Sequence, residues 1–353
     1  MRCIPFPAAA GAARLLRASR QALLALLALV VGGLASAAGA QPRDYFYFLG
    51  YQMVQVVDGQ TDTIIADIPM KGFVREVDLS ADRRHLYVAT SRHLIHKLDL
   101  DSHRIVSTID LNRDGWEYFM YGFALDPDGK TAWGALMSRS AKDGEPLIGK
   151  PVVAQFDLAD GRILRSVEVP WGVGHLVRVK GGQLWAVGQD LFKIDTNGAQ
   201  PRIVQTHPMF DKGMNILPFW EYPWENGDEM VAAYYTATAM GLLRIDQTSG
   251  EVREQLFKGD PAMAYSVILS PDRKTGYAVM DDINVLDMDK RVVTKSVPLV
   301  EGTSYGVNIS SDGSKLYVGA GGSTLTVYDA KSLRPLKVLH MATDGMDVRR
   351  ITR

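Results

Sequence analysis

Hydrophobic and polar positions alternate in short runs along most of this chain. Such alternation is the two-residue period of half-buried strands, Tyr45-Phe-Tyr-Phe-Leu49 reads as a strand by its aromatic run, and nothing beyond residue 40 has a convincing 3.6-residue amphipathic period. The pattern predicts an all-β protein. It also repeats. An apolar residue directly before an Asp recurs in Val56-Val-Asp58, Lys97-Leu-Asp99, Gln155-Phe-Asp157, Lys193-Ile-Asp195, Arg244-Ile-Asp246, Val285-Leu-Asp287 and Val327-Tyr-Asp329, at spacings averaging about 45 residues. Before the Asp hairpin, most periods carry an alternating strand, a turn and an aromatic-bearing strand. Examples run from Leu79-Ser-Ala-Asp82 to Tyr87, Leu125-Asp-Pro-Asp128 to Trp133, Leu269-Ser-Pro-Asp272 to Tyr277 and Ile309-Ser-Ser-Asp312 to Tyr317. Asp, Pro and Gly suit such turns because they preset or tolerate the backbone angles required, so the repeated Asp residues read as structural.

Two elements per period make four strands, and seven periods predict a seven-bladed β-propeller of four-stranded antiparallel blades. Tyr45–Leu49 lacks an upstream strand to complete its blade. Asp347–Thr352 is the expected supplier, closing the ring by pairing the N- and C-terminal strands and removing an exposed edge.

Residues 1–40 read differently. Arg2, Arg14, Arg17 and Arg20 precede or flank the apolar run Ala22–Val31, and Ala38-Gly-Ala40 resembles a cleavage site, so this segment is expected to be an export signal. Residues 41–353 are then one propeller domain. The only cysteine, Cys3, would leave with the signal, and the formal charge would pass from −1 to −5 as four arginines are lost. A cysteine-free, mildly acidic chain offers no thiolate metal site, no C-x-x-C-H haem attachment and no basic stripe for nucleic acid or an anionic membrane. A periplasmic location without a membrane anchor follows as an expectation.

Alternating turns in an up-and-down blade put the Asp turns on one face and the irregular connections on the other. The insertion Met137–Lys150, the aromatic stretch Phe219-Trp-Glu-Tyr-Pro-Trp224 and Tyr234–Thr238 are expected on the irregular face, where repeat proteins usually bind. Counting back from the turns places Arg75, Tyr121, Tyr265 and Tyr305 at the opening of innermost strands. His175 stands at the same level, preceded by Trp171, and Phe219 or Trp220 fills the place in a further blade. These residues are the candidates for lining a substrate pocket or docking a partner around the axial channel.

No catalytic residue stands out. His175 lacks a carboxylate neighbour in sequence and reads as a structural hydrogen-bonder. His85, His93, His96 and His103 lack a paired-ligand motif and read as surface or edge residues rather than a metal site.

The turn-plus-hairpin unit resembles that of exported bacterial propellers of the YVTN-like and amine dehydrogenase superfamily. More specifically, the chain resembles the β subunit of quinohemoprotein amine dehydrogenase through Tyr305–Ser314, Val327–Leu333, Val348–Arg353, Ala233–Ala237 and the start Arg43-Asp-Tyr45. The heavy subunit of methylamine dehydrogenase is similar with less specific matching. The resemblance implies a subunit of a periplasmic enzyme oxidising primary amines to aldehydes. This chain would carry no cofactor: cysteine tryptophylquinone would sit on a small γ subunit, and haem c on a diheme cytochrome c α subunit. No catalytic residue is carried over from the family. A free-standing exported propeller that binds a ligand or protein without catalysis remains the alternative.

Overall fold

A computed structural model describes residues 42–353 except Asp143 and Ala320, with the side chains of Lys142, Pro218, Phe219 and Asn226 also left undescribed. The expected signal segment lies outside the described residues. Arg43–Arg353 form one compact unit.

The unit is all-β, as the alternation requires, and its strands are antiparallel neighbours in sequence order. They are hydrogen-bonded into six sheets, which corrects the expectation of seven separate blades. Four sheets have four strands, and a fifth has four in a line with the hairpin strand Glu145–Ile148 added. The sixth unites six strands and contains both the Asp58 and the Asp99 turns. Two long strands fuse it. Asp44–Asp58 folds back about Gln52, whose φ is 54°, so that the Gly59 N–H reaches the Asp44 carbonyl at 2.9 Å. Thr63–Leu79 then pairs with that strand up to Phe73 and with His85–Thr90 from Val74 onward. Hydrogen bonding thus continues where the repeat pattern marks a break.

Chain closure follows the alternation. Asp347–Thr352 pairs antiparallel with Asp44–Leu49, in the register Tyr45↔Ile351 and Phe48↔Val348, so neither terminal strand leaves an open edge here. Innermost strands of successive sheets neighbour one another around an axis: Thr63–Leu79 beside Trp116–Leu125, then His175–Val179; Asn215–Glu221 beside Ser266–Leu269, Gly306–Ile309 and Gly345–Thr352.

The core lies in wedges between sheets. One wedge joins Phe46 and Phe48 to Tyr317 and Val327, with the Phe46 and Tyr317 rings stacked. Another joins Trp133 and Ala124 to Leu176 and Leu184. The second-strand aromatics reach further. Trp185 Nε1–H donates to the Gly250 carbonyl at 3.0 Å, Tyr277 O–H to that of Ala330 at 3.2 Å and Tyr317 O–H to that of Gly59 at 3.3 Å. Each acceptor belongs to the Asp turn of a neighbouring repeat. One large side chain therefore both fills a wedge and ties two repeats together, its polar atom satisfied as burial demands.

All seven Asp turns are built alike. The Asp carboxylate accepts a backbone N–H two or three residues on, as in Asp58 from Gln60, Asp157 from Ala159, Asp246 from Ser249 and Asp329 from Ser332. Such bonds hold Asp246 and Asp329 below the usual carboxylate range, chiefly through Ser249 and Ser332.

The four clustered histidines separate. His93 meets Asp110 at 2.9 Å and His85 lies 3.8 Å from Asp99. His96 corrects the expectation of a surface or edge residue: it is buried, its ring held by Thr90 at 3.0 Å and Thr108 at 2.8 Å, and burial lowers its proton affinity. No group of three or more potential metal ligands occurs among the described residues. Among those residues, no helix is long and apolar enough to cross a membrane.

Candidate functional site at the channel

The channel has two unlike ends. At the Asp-turn end, the strand Asn215–Glu221 runs into a short helix, Pro223–Asn226, preset by Pro223 at its first position. The Glu225 side chain is fully buried and accepts the backbone N–H of Tyr222 at 2.9 Å and of Arg350 at 3.1 Å, together with the Asn308 amide. Arg83, from another sheet, donates to the Trp224 carbonyl at 3.4 Å and to that of Thr352 at 3.2 Å. The helix therefore spans the channel, tied to strands on more than one side.

This arrangement overturns the expected placement of Phe219–Trp224 on the irregular face. The segment is the end of an innermost strand and its following turn, which topology assigns to the Asp-turn face. A pairing irregularity between Ile216 and Trp220 lets the strand depart from its partner. The Phe219 side chain lies outside the described residues.

Above this plug lies a cavity of about 300 Å³. Its floor is polar. Glu76 Oε2 accepts the Tyr222 hydroxyl at 3.1 Å and faces His175 Nδ1 at 3.4 Å. His175 is buried, stacks on Trp220 with centroids 4.6 Å apart, and neither ring nitrogen has a hydrogen-bond partner. The carboxylate neighbour that local sequence does not show is supplied by another sheet. Arg349 lies 4.5 Å over the Tyr222 ring and pairs with Asp347 and with Glu225 at 3.2 Å. Two residues beyond Glu76, burial pushes the Asp78 carboxyl up to about 6, against the N–H groups of Leu125 and Leu79.

The rim carries Arg75, Arg92 and Tyr121, with Leu49, Val74 and Met120 as apolar wall. Arg92 donates to the Tyr121 hydroxyl at 2.6 Å. Burial, and secondarily the Arg92 charge, hold Arg75 below the usual guanidinium range. A second, adjoining cavity of about 280 Å³ shares Tyr121 and Gly174 and is lined by Leu136, Val152, Val169 and Val173.

Of the residues singled out from sequence, Arg75 and Tyr121 line the rim, while His175 and Trp220 stack beneath it. Tyr265 and Tyr305 are not part of that lining. They meet each other edge to face, with centroids 4.9 Å apart, and Tyr305 packs on the Phe46–Tyr317 wedge. Glu76, Arg92, Tyr222, Asp347 and Arg349 were missed. The legible signal was charge in an inner strand: Asp347, Arg349 and Arg350 fall within the short terminal segment Gly345–Thr352.

The opposite face is apolar at its tips. Among the described residues, fifteen large hydrophobic side chains are exposed. Seven are on outermost strands, Ile65 is on Thr63–Leu79, and the other seven are on connections of this one face: Tyr51, Leu147, Ile148, Trp171, Phe210, Met263 and Val300. None is on the Asp-turn face. The insertion contributes two of them by extending Thr131–Lys142 into a hairpin with Glu145–Ile148.

Sheet order, wedge packing and axial cavity place the protein in the β-propeller class, and solved structures agree. Hydrazine synthase of Kuenenia stuttgartiensis is similar at TM-score 0.54 and 16% identity, over 83% of this chain and 90% of that one. The dihydro-heme d1 dehydrogenase NirN in complex with DHE matches at 0.54 and 16%, over 87% and 74%. The β-propeller domain of Myceliophteria thermophila Cps50 (Swd1) matches at 0.51 and 13%, over 78% and 88%. At such identities the likeness is one of fold. No protein-family model and no curated protein matches the chain.

Proposed function

We propose that this chain is a docking propeller: a partner protein seats on the apolar loop face and closes the channel mouth. The observation that carries the reading is that, of the exposed large hydrophobic side chains off the sheet flanks, all seven described lie at one end of the channel and none at the other. Protein interfaces need such desolvatable anchors, and Trp171 and Phe210 are the most exposed aromatic side chains among them.

In its specific form, the chain is the β subunit of an exported quinohemoprotein amine dehydrogenase. The quinone-bearing γ subunit seats on the loop face, the diheme cytochrome c α subunit takes the electrons, and a primary amine is oxidised in the space between. Two of the structurally similar proteins are named for redox chemistry, which is compatible with this reading. No cysteine occurs from residue 4 to residue 353, so neither cysteine tryptophylquinone nor a c-type haem fits on this part of the chain, and both groups belong to partners. The second reading, a free-standing ligand-binding propeller, is favoured by the cavity rim.

Purification of the native protein from the periplasmic fraction separates the two. Co-purification with a haem-absorbing subunit and a quinone-bearing polypeptide, with amine-dependent dye reduction, is the expected result. A colourless monomer without that activity would overturn the assignment.

A further inference from the structure

Three local irregularities converge on the rim of the channel cavity. The pairing register shifts between Val74 and Glu76, at Arg75, and between Met120 and Gly122, at Tyr121. Bulges of this kind re-aim one side chain out of the alternation. The turn between neighbouring strands places Ser91 and Arg92 in succession at φ of 50° and 65°, a conformation that ordinarily selects Asn and Gly. An arginine held there is spending conformational strain, as residues at binding sites do. These departures bring two guanidiniums and a phenol to one opening.

The charges at that opening do not balance. Neither Arg75 nor Arg92 forms an ion pair with any described carboxylate, and Arg75 lies 4.7 Å from the Phe73 ring, which brings no negative charge. The two acids lining the cavity are engaged elsewhere: Glu76 by the Tyr222 hydroxyl and beside His175, Asp347 by Arg349. An exposed guanidinium, Arg75, and a half-buried one, Arg92, close enough to repel are held together at a cost that a bound anion removes. Tyr121 completes the set. Its oxygen accepts from Arg92, leaving its own proton to donate. Beside these groups the wall is apolar, formed by Leu49, Val74, Met120 and Met346.

The geometry points to a binding site for a small organic anion, a carboxylate bearing a short apolar tail, held by Arg75, Arg92 and Tyr121 at the channel mouth. The guanidiniums take the carboxylate oxygens, Tyr121 donates the third hydrogen bond, and the tail lies against Val74 and Met120. Ligand recognition of this kind does not depend on the identity of any docking partner.

Calorimetric titration of the purified full chain at low salt, with butyrate, acetate and inorganic phosphate as probes, tests the assignment. Saturable binding of butyrate at one site is expected, tighter than acetate because the longer tail buries more apolar surface. Arg75→Gln and Arg92→Gln should each weaken it by about tenfold or more, and Tyr121→Phe by less, with circular dichroism melting close to wild type. An absence of saturable heat with butyrate overturns the site. So does an R75Q/R92Q double variant that binds like wild type. Phosphate binding tighter than butyrate overturns the choice of a carboxylate.

Discussion

The two ends of the channel are made from the same strands yet solve different problems. At the Asp-turn end, every repeat ends in a short turn capped by its own carboxylate, and the Pro223–Asn226 helix is tied across the axis through Glu225 and Arg83. At the other end, connections vary in length, hydrophobic tips face water, and two arginines stand without carboxylate partners. The first end satisfies its polar groups internally, whereas the second leaves apolar and cationic groups for something else to satisfy. Repetition at one end of the strands thus leaves the other free to vary.

The largest effect should come from removing what both ends share. Deleting residues 346–353 removes the strand paired with Asp44–Leu49 and the Arg349 and Arg350 partners of Glu225, so cooperative thermal unfolding should be lost. A truncated chain that melts like the full one would show that closure is dispensable.

Next in size, Glu225→Ala attacks the sealed end alone. It leaves Arg349 with one carboxylate fewer and orphans the N–H groups of Tyr222 and Arg350, a loss of about 3–5 kcal/mol by analogy with broken buried pairs. Chemical denaturation measures it, and a loss under about 1 kcal/mol would mean that the plug is not rigid.

Asp78 gives a smaller, pH-dependent effect. Its folded pKa of about 6 lies above the ordinary value of 3.8, so its contribution is fully present below about pH 4 and is lost as pH rises through 6. Asp78→Asn should therefore flatten the fall in melting temperature between about pH 4 and pH 7. An unchanged profile would mean that another group carries that dependence.

At the loop end, Trp171→Ser and Phe210→Ser should move stability by no more than about 0.5 kcal/mol, since both side chains are exposed, yet under the docking role proposed above they should reduce recovery of co-purifying partner protein. Equal recovery in the double variant would remove the comparison's functional half.

Much of the ring was legible because its signals are local. An Asp that accepts an N–H two or three residues on needs no distant neighbour, so all seven turns could be read directly, as could the pairing of the chain ends from an unmatched strand. Counting back from the turns at Asp82, Asp128 and Lys180–Gly182, which follow the innermost strands, also reached Arg75, Tyr121 and His175, because strand length fixes level along the axis.

What the sequence determined by itself was therefore the strand period, the turn chemistry and the level of each inner-strand residue, all matters of a few consecutive residues. Only the tertiary structure decided the rest. Whether Asp44–Asp58 and Thr63–Leu79 break or bend between repeats depends on hydrogen bonds to strands on either side, which is why six sheets form instead of seven. Whether His175 has a carboxylate neighbour depends on Glu76 arriving from another sheet, and Arg75 gains a second cation beside it only once Thr63–Leu79 pairs with His85–Thr90 and brings up Arg92. Charge and packing act through space, and their partners are chosen by closure of the ring.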